Sequence, residues 1–263
     1  MSLLAARVLD LPGGRGLLLF ERNLLSYRQM WTIILSGFFE PLFFLLALGY
    51  GLGGYVGDVE VDGVVLDYAV FIAPGLLAAS AMNGAFYDAT NVFWKMRYQK
   101  LYDSILSTPL RPQDVAAGET AWAVFRGLIY AVGFFTVILA LGLLESWWAV
   151  LALPATVFLA FAFAGAGIAA VTYMRSWQDF DILNLAILPM FLFSATFFPL
   201  STYPDWLELV IQATPLYHGV DLLRALTTGT VGPAQLVNVG YLSALGLAGT
   251  WIASRRVEKL LLT

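Results

Sequence analysis

The sequence predicts an all-α integral membrane protein. It has six transmembrane helices, an interfacial helix ahead of them, a short amphipathic helix on a cytoplasmic loop, and two short re-entrant or interfacial helices before the last span. Three observations carry this. Of 263 residues, 60% are hydrophobic and 12% charged, with mean hydropathy +0.78, where a soluble domain carries about 25% charged residues. The apolar residues gather into runs of the ~20 residues that a crossing needs. The Lys and Arg residues fall almost entirely on alternate loops.

About six spans fill the chain, so residues 1–263 form one transmembrane unit with no room for a soluble domain of ~100 residues. Residues 1–28 hold Arg7, Arg15, Arg22 and Arg28 among Leu, Phe and Tyr. Leu17–Leu25 reads as a helix lying along the membrane with its arginines toward headgroups. No apolar stretch here has the length or the following cleavage site of a signal peptide. The spans are expected near Met30–Leu52, Val65–Trp94 with a kink at Pro74, Asp114–Leu143, Trp147–Tyr173, Phe180–Phe198 and Val231–Ala253.

Between spans 2 and 3 lies YQKLYDSILSTPLRPQDVAAGE, Tyr98–Glu119, too polar for a span. Leu101, Tyr102, Ile105 and Leu106 recur at helical spacing. Pro109 and Pro112 stop that helix, and Asp114 stands where the next N-cap belongs. Between spans 5 and 6, Pro199, Pro204 and Pro215 break an apolar segment into two pieces, Asp205–Ala213 and Leu216–Thr227. Both are too short to cross, which suits interfacial or re-entrant helices. In the second, Leu216, Val220, Leu223 and Leu226 or Thr227 form one face, and His218, Asp221 and Arg224 another.

Twelve of the fourteen Lys/Arg residues lie before span 1, after span 2, after span 4 and after span 6. They are the four arginines above, Lys95, Arg97, Lys100, Arg111, Arg175, Arg255, Arg256 and Lys259. The opposite segments hold Arg224 alone and are otherwise acidic, and Arg126 lies inside span 3. Both termini are therefore expected in the cytoplasm.

Ionisable groups inside spans are costly and hence informative. Glu40 in span 1 and Arg126 in span 3 enter from the same side, at depths differing by about 3 Å. They are expected to pair or to share one polar interior. Asp88 and Glu119 lie near the cytoplasmic ends of spans 2 and 3, which suits a polar inner vestibule. Gly49 and Gly53 have GxxxG spacing. Phe191, Phe193, Phe197 and Phe198 crowd the outer end of span 5, lining an apolar substrate path or marking the interface.

Enzyme signatures are missing. The chain has no cysteine and one histidine, His218, which excludes thiol chemistry and a histidine metal cluster. It has no GxxxxGK[ST] loop, so it is not expected to hydrolyse ATP, and no HExxH or GxSxG motif. Tyr87-Asp88 resembles half of an intramembrane aspartyl protease pair, but Tyr55 precedes Val56-Gly57-Asp58 where the partner GxGD motif needs glycine. No catalytic residue is expected.

Three stretches resemble the transmembrane subunit of type-2 ABC exporters: FFEPLFFLLALGYGLG, LYDSILSTPLRPQDVAAGE and ILPMFLFSATFFPLSTYPDWLELVIQATPLYHGVDLLRAL. Within that family the chain is most similar to permeases of nodulation lipo-oligosaccharide and daunorubicin-type drug exporters. The resemblance implies a six-span subunit in the bacterial plasma membrane, dimeric, working with two copies of a separate ATP-binding subunit that holds the ATP and magnesium. It implies no cofactor in this chain and no nucleic-acid partner. It makes residues 98–107 the coupling helix, with Tyr98, Leu101, Tyr102, Ser104, Ile105 and Leu106 toward the ATPase. It makes the N-terminal stretch the interface helix, and residues 205–227 the outer re-entrant helices. A long aromatic belt of the kind that stacks polysaccharides is missing, which favours a lipid-linked or amphipathic cargo. A non-transporting scaffold that recruits a cytoplasmic protein through the same loop is the alternative outside transport.

Overall fold

A computed structural model describes residues 14–27, 39–61 and 63–261. The expected start of span 1 at Met30, together with Arg7, Arg28 and the side chain of Leu106, lies outside the described residues. Helix α1, Gly16–Tyr27, precedes α2, Phe39–Val56. A hairpin of β1, Val59–Val61, and β2, Val64–Leu66, follows. Next come α3, Tyr68–Arg97, and the six-residue α4, Leu101–Leu106. Helix α5 is Pro112–Ala140, α6 is Trp147–Val171 and α7 is Asp179–Leu192. The chain closes with α8, Asp205–Gln212, α9, Pro215–Thr228, and α10, Ala234–Leu261.

Among the described residues the architecture is all-α apart from the hairpin, and five helices are long and apolar enough to cross a membrane: α2, α3, α5, α6 and α10. The fifth expected span, Phe180–Phe198, is shorter than anticipated. Its helix α7 has 14 residues, about 21 Å of rise against a core of ~30 Å. Pro189 lies inside it and gives up a backbone donor. Just beyond, Ser194 Oγ donates to the Phe191 carbonyl at 3.0 Å, and Ala195 takes φ +56°. The backbone turns there instead of continuing to Phe198.

The hairpin occupies residues expected to be an acidic loop and the first turn of span 2. Val59 pairs with Leu66 and Val61 with Val64, in antiparallel register. An Asp-Gly pair between valines is a strong hairpin signal, with Gly63 at φ +78°. Span 2 accordingly starts at Tyr68, where Asp67 caps α3 by accepting from the Ala69 amide at 2.8 Å.

Helix α3 is the buried axis, packed by α5, α6 and α9. Its Pro74 cannot donate to the preceding turn. In that same turn the Phe71 carbonyl accepts from Arg224 on α9 at 3.4 Å. Small residues set the helix spacings. A Cβ on Gly84 of α3 would come within 2.7 Å of Gly127 Cα on α5, and one on Gly165 of α6 within 2.6 Å of the Gly246 carbonyl on α10. Such close approach is how helices gain packing without a hydrophobic driving force. The GxxxG pair does not make such a seam: a Cβ on Gly49 would come no closer than 3.3 Å to Ala69, and one on Gly53 no closer than 3.6 Å to Tyr68.

Gly127→Leu is expected to splay α3 from α5 and cost roughly 2–3 kcal/mol. This is read as a lower thermal midpoint in detergent, with Gly54→Leu as control because nothing lies within 4 Å of its Cβ.

Candidate functional site

Two polar networks run along the seam between α1, α3 and α5, near the end of the bundle where α4 lies. Periodicity explains their alignment. Asp88, Asn91 and Lys95 share one face of α3, Glu119, Arg126 and Tyr130 one face of α5, and Asn23 and Tyr27 one face of α1. Helix α1 can reach that seam because Gly16 and Gly118 touch backbone to backbone: a Cβ on Gly118 would lie 2.6 Å from the Gly16 carbonyl. Its Leu19 is buried, while Leu17, Leu18, Leu24 and Leu25 stay exposed, as a helix lying at a lipid boundary requires.

The first network holds α4. Lys95 Nζ lies 2.6 Å from Glu119 Oε2, and both side chains are buried. Asn23 donates to the same oxygen at 3.1 Å and accepts from Lys95 at 3.2 Å. Tyr102 donates its hydroxyl to Glu119 Oε1 at 3.0 Å. Burial first, and then the Glu119 charge, push the Tyr102 hydroxyl well above the usual tyrosine range, so it stays a donor.

Tyr102 is fully buried and turned into the bundle, not toward the ATPase as the family resemblance implied. A tyrosine reads as apolar in a pattern but must satisfy its hydroxyl when buried. Tyr98 and Ser104 are exposed, and Leu101 and Ile105 are half-buried. Tyr98 lies outside α4 and stacks on Trp94 at 4.4 Å. Lys100, at φ +47°, turns the chain into the helix. Asp114 is the third residue of α5, not its N-cap, and accepts from the Arg111 amide at 2.9 Å, while Pro112 opens that helix. Arg15 donates to the Pro109 carbonyl at 2.7 Å, tying α1 to the same loop.

The second network lies deeper. Arg126 Nη1 is 2.8 Å from Asp88 Oδ1, both side chains buried. Tyr27 donates to that oxygen at 3.3 Å and Asn91 to the Tyr27 hydroxyl at 3.1 Å. Arg126 Nη2 donates to Tyr130 at 3.1 Å. Arg126 thus pairs with Asp88, not with Glu40. Matching depth was a poor guide because it ignores which way each helix face points: Glu40 is exposed on α2.

Glu40 instead lines a groove of about 390 Å³ between α2, α3 and α7, with Asn83, Tyr87, Asp181, Asn184 and Phe191. Of the four expected path residues, only Phe191 lines it. Phe197 is buried against Phe44 and Phe191. Phe193 and Phe198 are exposed, Phe193 packing edge-on against Tyr203.

At the hairpin end, α9 buries Leu216, Val220, Leu223, Leu226 and Thr227, the expected face. Its polar residues tie the bundle together. His218 Nδ1 lies 2.7 Å from Asn238 Oδ1, and the Asn238 amide donates to Asp221 at 2.7 Å. Arg224 donates to the Ala195 carbonyl at 2.7 Å and lies over the Phe71 ring.

Sequence reasoning missed Asn23, Tyr27, Asn91 and Lys95 as network members, and Asn83, Tyr87, Asp181 and Asn184 as groove residues. The i, i+3, i+7 recurrence of Asp88, Asn91 and Lys95 was the available signal. Among the described residues no cluster of His, Asp and Glu is arranged to hold a metal ion.

Spanning helices packed on small residues, a buried charged seam and a short helix pinned outside the spans define a multi-pass membrane protein. Residues 16–227 match the family model described as ABC-2 type transporter, and the chain belongs to that family. It is a permease subunit, a family that works with an ATP-binding subunit. Its relatives include Nodulation protein J of Rhizobium leguminosarum bv. viciae, 32% identical over 262 residues covering 96% of this chain and 99% of the relative. Nodulation protein J of Rhizobium meliloti (strain 1021) is 32% identical, with 87% and 85% covered. The inner membrane transport permease YadH of Escherichia coli (strain K12) is 21% identical, with 78% and 80% covered.

Proposed function

We propose that this subunit carries a lipid-linked oligosaccharide, glycolipid or related amphipathic compound out across the bacterial plasma membrane, driven by a separate ATPase. The observation that carries the reading is α4 itself, a helix outside the spans whose Tyr102 is bonded to the buried Lys95–Glu119 pair. Two ATP-binding subunits, holding ATP and magnesium, dock on the exposed side of α4, and a second copy of the permease completes the assembly. The basic residues of the α4 loop and of α10 support the reading that both termini are cytoplasmic.

The ATPase closes on binding ATP and α4 moves with it. Because Tyr102 ties α4 to Glu119, and Glu119 to Lys95 and Asn23, displacement reaches α1, α3 and α5 together. The groove with Glu40, Asn83, Tyr87, Asp181 and Asn184 offers polar groups to a sugar head, and Leu185, Ile187 and Leu188 face an acyl chain. That apolar wall also supports the second reading, efflux of hydrophobic drugs. ATP drives either only by binding the two states with different affinity.

A single cysteine at Ser104 in this cysteine-free chain tests the docking. Crosslinking to a co-expressed ATPase in membranes, changing with ATP, is expected. A co-purifying ATPase that never crosslinks would place docking elsewhere. ATP-dependent glycolipid uptake by inverted vesicles then separates transport from scaffolding.

A further inference from the structure

The hairpin end holds a cavity of about 400 Å³, walled by the hairpin, the segment after α7, and helices α8, α9 and the start of α10. That volume lies within the range of ligand pockets, roughly 300–1,000 Å³. Glu60, Glu208, Asp221, Tyr217, Thr230 and Gln235 are among its lining residues.

The carboxylates are only partly used. Glu208 Oε1 accepts from Gln212 at 3.1 Å, and Asp221 Oδ2 from Asn238 and Gln235. Among the described residues, no hydrogen bond or ion pair reaches Glu60, Glu208 Oε2 or Asp221 Oδ1. Among the described residues, Arg224 is the cationic side chain on the wall, and it donates to the Ala195 and Phe71 carbonyls and covers the Phe71 ring. Ionised carboxylates only accept, so the guest must be rich in donors. The carboxylates do not gather as a metal site requires. They stand on separate walls, on the hairpin, α8 and α9.

We infer that this cavity is a receiving site for the saccharide head of the cargo, with sugar hydroxyls donating to Glu60, Glu208 and Asp221. This rests on the exporter reading, which puts the hairpin end outside the cell. The site would catch the head group as it emerges while the acyl chain is still in the bilayer, and so oppose its return.

The test measures binding of the tetramer of N-acetylglucosamine to the full-length permease in nanodiscs by calorimetry. The wild type is expected to bind, and the double variant E60Q/E208Q to bind at least tenfold more weakly, because bonds to charged acceptors are the strong ones. Circular dichroism and thermal midpoint should be unchanged, since Glu60 is exposed and a glutamine at 208 keeps an oxygen to accept from Gln212. Glu258→Gln, exposed near the far end of α10, should leave this binding intact. Spermine binding in place of the tetramer overturns the assignment in favour of a polyamine site. Equal tetramer binding by wild type and E60Q/E208Q overturns it too. ATP-driven glycolipid uptake with no tetramer binding removes this site and leaves the exporter reading standing. Tetramer binding with no glycolipid uptake keeps the site and removes that reading.

Discussion

Replacing Asp88 by Leu is expected to destabilise the protein by about 3–5 kcal/mol, the cost of stranding one member of a buried ion pair. Arg126 is the stranded member: its guanidinium is 2.8 Å from Asp88, and its side chain is only 8% exposed. The expected figure agrees with the roughly 2.5–3.5 kcal/mol assigned to an unpaired charge at the centre of a membrane helix. Tyr130 still accepts from Arg126, but a phenol does not offset the charge. The double variant D88L/R126L should recover most of the loss, since apolar replacements for a buried pair are often neutral. Thermal unfolding in detergent of the two single variants and the double one closes this cycle. Additive losses in the double variant would show that Asp88 and Arg126 act independently.

The second large effect is expected at Glu119. Glu119→Ala removes the acceptor shared by Lys95, Asn23 and Tyr102, leaving an ammonium and two further donors inside the seam. A loss of about 3–5 kcal/mol is again expected, but with a different signature. Helix α4 is held by Tyr102 and by half-buried Leu101 and Ile105, so it should loosen before the spans do. Limited proteolysis should cut between Gln99 and Arg111 faster, and ATPase activity should no longer respond to transport cargo. Tyr102→Phe isolates one part of this. It removes a single donor, costs about 1 kcal/mol, and should weaken coupling while leaving the fold intact. Ile105→Asp should uncouple without the larger stability loss. A Glu119→Ala variant that cleaves no faster in this loop would mean that α4 is held by its apolar contacts alone.

Much of this was legible in the residues. The alternation of basic loops, the helix around Ile105 and the buried stripe of α9 all follow from spacing, because spacing alone decides them. The hairpin was legible too, from Asp62-Gly63 between valines, but the acidic residues around it pulled the reading toward an open loop. What spacing could not supply was azimuth between helices. Glu40 and Arg126 share a depth, yet the partner of Arg126 depends on where α3 sits around α5, and Gly84 and Gly127 decide that. The inward turn of Tyr102 was hidden for a related reason. Its hydroxyl goes where a buried acceptor is, and Glu119 becomes one only after α5 packs on α3. The fifth span overran because an apolar run continues through Pro189 and Ser194, where the backbone does not.

The bundle divides its residues between two kinds of constraint. Helices α3, α5, α6 and α10 meet across glycines and leave no room for new atoms. Helices α2 and α7 stand largely exposed, with Phe43, Leu46, Ile182 and Leu185 on open faces. Substitutions at those exposed positions therefore cost little stability, and that side of the groove can be rewritten residue by residue while the bundle beneath stays the same.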